Sequence, residues 1–299
     1  MKELINELKK AAITFKCDEP MKNHTSFKTG GNASIFICPK DENELSAVLR
    51  ILFSLGLKPF ILGNGSNLLV SDDGITDRPV IFIGDGFSDI ELIDETTIVV
   101  GAGASLTALC RFALDNCLTG LEFAFGIPGS CGGAAYMNAG AYGGEMKDVV
   151  VRCNHLDEKG VKGFFDASAL DFGYRHSVYT DSSLVITSVE LSLEKGNREE
   201  IHAKMKDLMQ RRRDKQPLEY PSAGSVFKRP EGYFAGALIE QSGLKGKRIG
   251  GAMVSEKHAG FIINYENATT KDVLDLIKFC QDTVKETFGV VLEREIKTV

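Results

Sequence analysis

The stretch of this chain best suited to chemistry has few reactive side chains. It runs Gly126-Ile127-Pro128-Gly129-Ser130-Cys131-Gly132-Gly133-Ala134-Ala135-Tyr136-Met137-Asn138-Ala139-Gly140-Ala141-Tyr142-Gly143-Gly144-Glu145, and seven of its twenty residues are glycine. Backbone of this kind can turn freely and come close to a flat or anionic ligand through its amide groups. A second glycine turn, Gly63-Asn64-Gly65-Ser66-Asn67-Leu68-Leu69, lies about sixty residues upstream. Two such cradles could serve the two ends of one dinucleotide. Without its flanks, the longer stretch reads equally as an ordinary turn between strands.

Motif arithmetic narrows the ligand. Gly63-x-Gly65, Gly84-x-Gly86 and Gly101-x-Gly103 all follow predicted strands, but Leu68, Asp89 and Leu106 stand where a dinucleotide fingerprint of the Rossmann type needs its third glycine. No Gly-x-x-x-x-Gly-Lys-Ser/Thr loop occurs, which argues against nucleotide hydrolysis. What remains is backbone amide, with Ser66, Asn67, Ser130 and Asn138 as side-chain donors, able to hold a pyrophosphate without a lysine.

The elements that must position these residues fall into three parts. Residues 1–79 read as a small α/β unit: an N-terminal helix within Met1–Lys16, a strand from Ala33 to Cys38, a helix from Glu42 to Leu55 opened by an Asp41/Glu44 capping box and stopped by Gly56, and a strand from Pro59 to Leu62 running into the Gly63 turn. Residues 80–196 read as an α+β middle part of mostly antiparallel strands (Val80–Ile83, Thr97–Val100, Val149–Leu156, Gly163–Asp166, Leu184–Leu193) with one helix capped by Ser105. Residues 197–289 hold a helix from Asn197 to Asp214, a loop from Tyr220 to Pro230, a short helix near Phe234–Gln241, strands at Ala252–Val254 and Gly260–Tyr265, and a long helix capped by Thr270 and closed by Gly289. A strand-like tail, Val290 to Ile296, returns to the body.

Composition excludes several classes. With 299 residues, 43% hydrophobic, and 35 basic against 41 acidic groups giving −6, the chain is an ordinary globular one and a poor partner for nucleic acid. The N-terminal segment alternates Leu4, Ile5 and Leu8 with charges, unlike a signal peptide, and no run approaches the ~20 apolar residues of a membrane span, so a cytoplasmic protein is expected. The seven cysteines are scattered with no C-x-x-C pair and no zinc-type histidine spacing, so no metal is expected; Cys131 lacks a partner for redox work.

Gly63-Asn64-Gly65-Ser66-Asn67-Leu68-Leu69, then Gly126-Ile127-Pro128-Gly129-Ser130 with Asn138-Ala139-Gly140-Ala141-Tyr142-Gly143, resemble the FAD-binding elements of the UDP-N-acetylenolpyruvoylglucosamine reductase family. The likeness continues in order through Gly173-Tyr174-Arg175, Ala223-Gly224-Ser225-Val226-Phe227-Lys228 and Leu292-Glu293-Arg294-Glu295, covering the chain from about Asn23 to its end. The resemblance implies an α+β protein with the FAD-binding fold of vanillyl-alcohol oxidase-type flavoenzymes plus a C-terminal substrate domain, the tail 290–299 returning to the flavin. It implies non-covalent FAD on Gly63, Asn64, Gly65, Ser66, Asn67, Gly126, Ile127, Pro128, Gly129, Ser130, Gly132, Gly133, Ala134, Asn138, Ala139 and Gly144. It further implies NADPH as hydride donor, C3 of the enolpyruvyl ether of UDP-N-acetylglucosamine as hydride acceptor, protonation at C2, and a monomer.

Residue roles follow from the same resemblance. Ser225 matches the proton donor; read alone, it is a loop hydroxyl bonding its own backbone. A serine is a poor acid in water, but a carbanion is a strong base, so orientation can suffice. Lys228 could ease formation of the alkoxide. Arg175, beside Tyr174, matches the carboxylate and enolate stabiliser, because a guanidinium fork grips a carboxylate through two bonds; its plain alternative is a surface ion pair. Glu295 matches the residue that polarises the enolpyruvyl group or shares proton transfer, and otherwise reads as a solvated edge charge. Lys215 matches the contact to the substrate's pyrophosphate, with Arg211 a further candidate, although cations there also complement a helix C-terminus.

One departure and two rivals stand beside this reading. The family's longer branch carries a lid segment with a tyrosine; only Glu194, Lys195 and Gly196 lie between the strand ending at Leu193 and the next helix, so the chain resembles the shorter branch. An oxidase of the same fold acting on an alcohol or phenol, with covalent FAD as one version and His24 the candidate attachment point, and a nucleotide-sugar-binding regulator without chemistry are the alternatives.

Overall fold

The computed structural model describes residues 1–299, and its contacts part the chain into two compact units. The first comprises Met1–Lys16, Ile35–Asn64 and Arg78–Gln210; the second comprises Cys17–Ser34, Gly65–Asp77 and Arg211–Val299.

In the first unit, helix α1 (Lys2–Lys10) buries Leu4 and Leu8, and helix α2 (Glu42–Ser54) buries Leu45, Val48, Leu49 and Leu52, the i, i+3, i+4, i+7 stripe that an amphipathic helix needs. The Asp41 carboxylate accepts the Glu44 N–H at 2.8 Å, as the sequence predicts. Its reciprocal partner is offset by one residue, the Glu44 carboxylate taking the Lys40 N–H at 2.6 Å. The expected N-terminal helix ends earlier than Lys16: Ala12 turns left-handed at φ 55°, and Phe15–Pro20 is a strand missed in the sequence. Strands Asn32–Ile37, Val80–Phe82 and Phe60–Leu62 run parallel, pairing Phe36 with Val80 and Ile61 with Ile81; Val80–Phe82, expected in the antiparallel middle part, instead lies between the other two.

The expected antiparallel middle layer is a five-stranded sheet ordered Lys162–Asp166, Val150–Leu156, Val185–Ser192, Thr97–Gly101, Ile90–Leu92. Val189 pairs with both Val100 and Cys153, so the central strand is buried among apolar neighbours. Helix α3 (Leu106–Asp115) begins at Ser105, whose hydroxyl accepts the Ala108 N–H at 3.1 Å. The glycine stretch itself is not one long turn, because Cys131–Tyr136 form helix α4. Tertiary bonds outweigh the poor helix propensity of its glycines: Cys131 N–H donates to the Ala104 carbonyl and Gly132 N–H to the Ala102 carbonyl, both at 2.8 Å. Helix α5 (Arg198–Lys215) starts in this unit and sends Ile201 and Met205 into its core.

The second unit has its own core, built from Val226, Phe227, Leu238, Ile239, Val254, Ile262, Val273, Ile277, Cys280 and Val284 among others. Helices α6 (Ala235–Gln241) and α7 (Thr270–Phe288) accompany an antiparallel sheet of Arg248–Ile249, Ala252–Val254 and Ile262–Asn264. The cap of α7 is Thr269 rather than Thr270: its side chain and that of Asp272 exchange bonds with each other's backbone at 3.0 Å. Thr270 is instead buried, its hydroxyl donating to the Val70 carbonyl at 2.5 Å. Gly289 closes the helix at φ 70°, as expected. The tail differs from the expected strand. Within Val290–Ile296 only Arg294 bridges, to Phe227, and the strand is Lys297–Thr298, parallel to Leu68–Leu69. Leu292 and Ile296 are buried, so the tail is held by side chains before it pairs. No helix is long and apolar enough to cross a membrane.

Candidate active site

Gly63 and the Gly126–Ser130 turn come together within the first unit. A side chain at Gly63 would begin 2.5 Å from the Ser130 hydroxyl oxygen, so the end of the Phe60–Leu62 strand touches the start of α4. Just beyond, Gly65 sits at φ 58°, and any Cβ there would run into the His24 carbonyl. Asn64, Pro128 and Gly133 are exposed, whereas Gly126, Ile127, Gly129, Ser66 and Asn67 are half-buried. Bare backbone at Gly63–Asn64 beside the Gly126–Ser130 turn is the surface a dinucleotide requires, and these residues fit FAD.

Not every small residue of the stretch has that explanation. A side chain on Gly132 would lie 2.7 Å from the Ala102 Cβ, and one on Gly144 would lie 2.6 Å from the Phe123 ring, so both glycines permit close packing. Ala134 and Ala139 are buried and bonded to each other, the Ala139 N–H donating to the Ala134 carbonyl at 2.8 Å. Asn138 is a correction. Its Nδ2 donates to Glu145 Oε2 at 2.9 Å and to the Gly173 carbonyl at 3.0 Å, and its Oδ1 accepts the Lys147 N–H at 2.9 Å, so its side chain has no donor left for a pyrophosphate. Ser130 caps α4, accepting the Gly133 N–H at 3.4 Å.

The bonds of Asn138 have a consequence for Arg175. They tie the glycine stretch to the turn Gly173–His176, whose end residues exchange backbone bonds at 3.1 and 3.3 Å. Arg175 sits in that turn at φ 55°, a conformation that costs a non-glycine residue energy and that clusters at functional positions. Its guanidinium lies 5.4 Å from the centroid of the exposed Tyr174 ring. The Glu145 carboxyl is held below its usual range, first by Lys147, then by Asn138, with Arg175 adding to the effect. His176 pairs with exposed Asp171 at 3.3 Å, outside this arrangement.

In the second unit, Ser225 and Glu295 are brought together by a ladder. Ser225 bridges Phe261 on one side; on the other, Phe227 bridges Arg294. The Glu295 N–H donates to the Val226 carbonyl and the Val226 N–H to the Gly260 carbonyl, at 2.8 and 2.9 Å. Ser225 is half-buried, and its hydroxyl is 3.3 Å from the Phe227 carbonyl. The same tail reaches the first glycine turn: Lys297 N–H donates to the Asn67 carbonyl at 3.0 Å, and Asn67 Nδ2 to the Glu295 carbonyl at 3.4 Å. Lys228 is exposed, with its ammonium 3.3 Å from Glu293.

At the end of α5, Arg211 and Lys215 are exposed, whereas Arg212 is 5% exposed. That burial was invisible in the sequence, where Arg211-Arg212-Arg213 are three equal charges. His258, near Ser225, was also missed; the sequence offers only a lone histidine before a glycine. Cys131 is fully buried, and burial pushes its thiol far above the ordinary cysteine range, so it is inert. His24 bonds Glu19 at 2.7 Å and is mostly buried. Glu194–Lys195, where a lid would be inserted, pair with Leu118–Thr119.

Residues 33–161 match a family model described as FAD binding domain. The fold is the vanillyl-alcohol oxidase type, shared with an alkyldihydroxyacetonephosphate synthase at a TM-score of 0.51, 15% identity, and coverage of 65% of this chain and 41% of that one. Fold and cradle together define an FAD-dependent oxidoreductase. Residues 216–299 match the model described as UDP-N-acetylenolpyruvoylglucosamine reductase, C-terminal domain. The UDP-N-acetylenolpyruvoylglucosamine reductase of Caldanaerobacter subterraneus subsp. tengcongensis is 50% identical over 299 residues, all of this chain and 96% of that protein. The crystal structure of the Thermus caldophilus reductase superposes with a TM-score of 0.81 at 35% identity, covering 96% of this chain and 98% of that one. The chain belongs to the UDP-N-acetylenolpyruvoylglucosamine reductase family.

Proposed function

We propose that this chain reduces the enolpyruvyl ether of UDP-N-acetylglucosamine to UDP-N-acetylmuramate with NADPH, as a cytoplasmic monomer serving peptidoglycan precursor synthesis. The observation that carries the reading is the ladder in which Ser225 and Glu295 flank Val226, in a chain of this family. Bound FAD would supply the hydride-transfer chemistry that links NADPH to C3 of the ether. Gly63, Asn64, Gly65, Ser66, Asn67 and the Gly126–Ser130 turn hold it through backbone.

Once C3 has gained its hydrogen, the former double-bond pair rests on C2 and spreads into the adjacent carboxylate. Arg175 grips that carboxylate through two N–H groups and stabilises the charge where it develops. Ser225 delivers the proton: its O–H bond breaks as the C2–H bond forms, and the hydroxyl regains a proton from solvent. Fixed aim substitutes for a matched pKa here. Glu295 polarises the enolpyruvyl group and shares in restoring the Ser225 proton. Lys215 and Arg211 meet the pyrophosphate, and Tyr174 packs against the substrate.

The test is an anaerobic absorbance trace on the FAD-loaded protein. NADPH should bleach the flavin band, and the enolpyruvyl sugar nucleotide should restore it. Ser225→Ala should bleach normally and recover about 10²- to 10⁴-fold more slowly. A wild-type protein bleached by NADPH but not recovered by the sugar nucleotide would sink the reading and point to a flavoenzyme of the same fold with another electron acceptor.

A further inference from the structure

The Ser225 strand is fixed on its other flank by a loop whose histidine has no role so far. His258 precedes Ala259-Gly260-Phe261, the segment that Ser225 and Val226 pair with. The loop closes on itself: the Phe261 N–H donates to the His258 carbonyl and the Ser255 N–H to the Phe261 carbonyl, each at 2.9 Å. Ser255, buried, accepts the N–H groups of Lys257 and His258 at 3.1 and 3.3 Å. The Gly260 N–H donates to His258 Nδ1 at 3.0 Å, and the Gly260 carbonyl accepts the Val226 N–H at 2.9 Å.

The imidazole is held on several sides. Phe261 packs edge-on at 5.0 Å between centroids, and a Cβ on Gly236, in the first turn of α6, would lie 3.1 Å from its Cε1. A Cβ on Gly260 would lie 2.9 Å from His258 Cε1, 3.1 Å from Nδ1 and 3.5 Å from the Ser225 hydroxyl oxygen. Any side chain at 260 would press on the ring and touch the hydroxyl, so the bare glycine lies between the two. Nδ1 is an acceptor in this arrangement, so a neutral ring carries its proton on Nε2.

We propose that His258 is a positioning residue for Ser225: its neutral imidazole fixes Gly260 through the N–H, and Gly260, through its carbonyl, fixes the strand that aims the Ser225 hydroxyl. This inference rests on Ser225 being the proton donor. Protonation of the ring turns Nδ1 into a donor facing the Gly260 N–H, and the anchor of Val226 is lost. Burial, the largest cause, holds the ring below the ordinary histidine range, against a hydrogen bond to its own backbone that favours the charged form. Among the charges that face it, Lys245 and Lys215 push in the same direction and Glu240 opposes them. The neutral form therefore persists through neutral pH, and the aim of Ser225 fails only as the medium becomes acidic.

The experiment separates the two half-reactions of the FAD-loaded protein by anaerobic stopped flow across pH. His258→Ala should slow recovery of the flavin band by the enolpyruvyl sugar nucleotide roughly 10- to 100-fold while leaving bleaching by NADPH within about twofold. His258→Asn, whose Oδ1 can occupy the Nδ1 position, should restore most of the rate. The wild-type recovery rate should fall on the acid side of neutrality, and the Asn variant, having nothing to titrate, should lack that limb. An acid limb that survives in His258→Asn, or equal slowing of both half-reactions in His258→Ala, overturns the inference. Ser225→Ala run alongside keeps the two claims apart. If it recovers like wild type, the Ser225 reading fails; if it is slow while His258→Ala is normal, only the His258 inference fails.

Discussion

At Gly63 and Gly65 the molecule makes a contact surface by leaving side chains out, whereas at Ser225 it makes one by fixing a single side chain from both flanks. The first arrangement presents backbone amides, which have no titratable proton. The second depends on a hydroxyl whose aim is set by Gly260 on one side and Glu295 on the other. The glycine turns should therefore fail when atoms are added and the Ser225 strand when atoms are removed. The first failure should appear in cofactor content, the second in one half-reaction.

The largest effect expected on cofactor content is at Gly65. An alanine there must hold φ near 58° and push its Cβ against the His24 carbonyl, a backbone atom that cannot rotate away. The strain alone costs about 1–3 kcal/mol, or roughly 5- to 150-fold in affinity. Gly65→Ala should purify largely free of flavin, measured as the ratio of visible to ultraviolet absorbance, with far-ultraviolet dichroism retained. A yellow, fully loaded variant would break the comparison. Ser225→Ala should do the reverse, keeping full flavin content and losing the recovery step.

Arg175 belongs to neither class, since it is a long side chain held in a strained turn by Asn138. Lysine keeps the charge and loses the fork, so Arg175→Lys should lower kcat/KM for the sugar nucleotide about 10- to 100-fold and leave reduction by NADPH unchanged. An equal loss in both half-reactions would place the residue with the glycine turns instead.

The two regions were not equally legible in the sequence. Helices α2 and α3 and the antiparallel middle sheet follow from caps and apolar periodicity, which are local signals. The glycine turns were visible by composition, but α4 was not, because the bonds that fold it come from Ala102 and Ala104, far away in sequence. Asn138 looked like a ligand donor because residue type cannot reveal that Glu145, Gly173 and Lys147 use up its amide. The cap of α7 was misplaced by one residue since Thr269 and Thr270 are identical in type; only the Val70 carbonyl, from a distant loop, distinguishes them. The Ser225 ladder was legible solely through family resemblance. Its three strands are single bridges drawn from residues 225–228, 261 and 294, which leave no period in the sequence.

The smallest effect should come from Lys228, and it marks where the side-chain site ends. Three residues beyond Ser225, its ammonium pairs with Glu293 at 3.3 Å, with the two side chains 45% and 71% exposed. A charge so hydrated is strongly screened, and an exposed pair contributes about 0–1 kcal/mol. It is therefore poorly placed to stabilise an alkoxide on Ser225. Lys228→Met should change the recovery rate by less than about threefold, and what effect it has should shrink further as salt is raised. A loss approaching that of Ser225→Ala, insensitive to salt, would mean that the ammonium swings away from Glu293 once substrate excludes water. The Ser225 strand would then supply electrostatic support as well as aim.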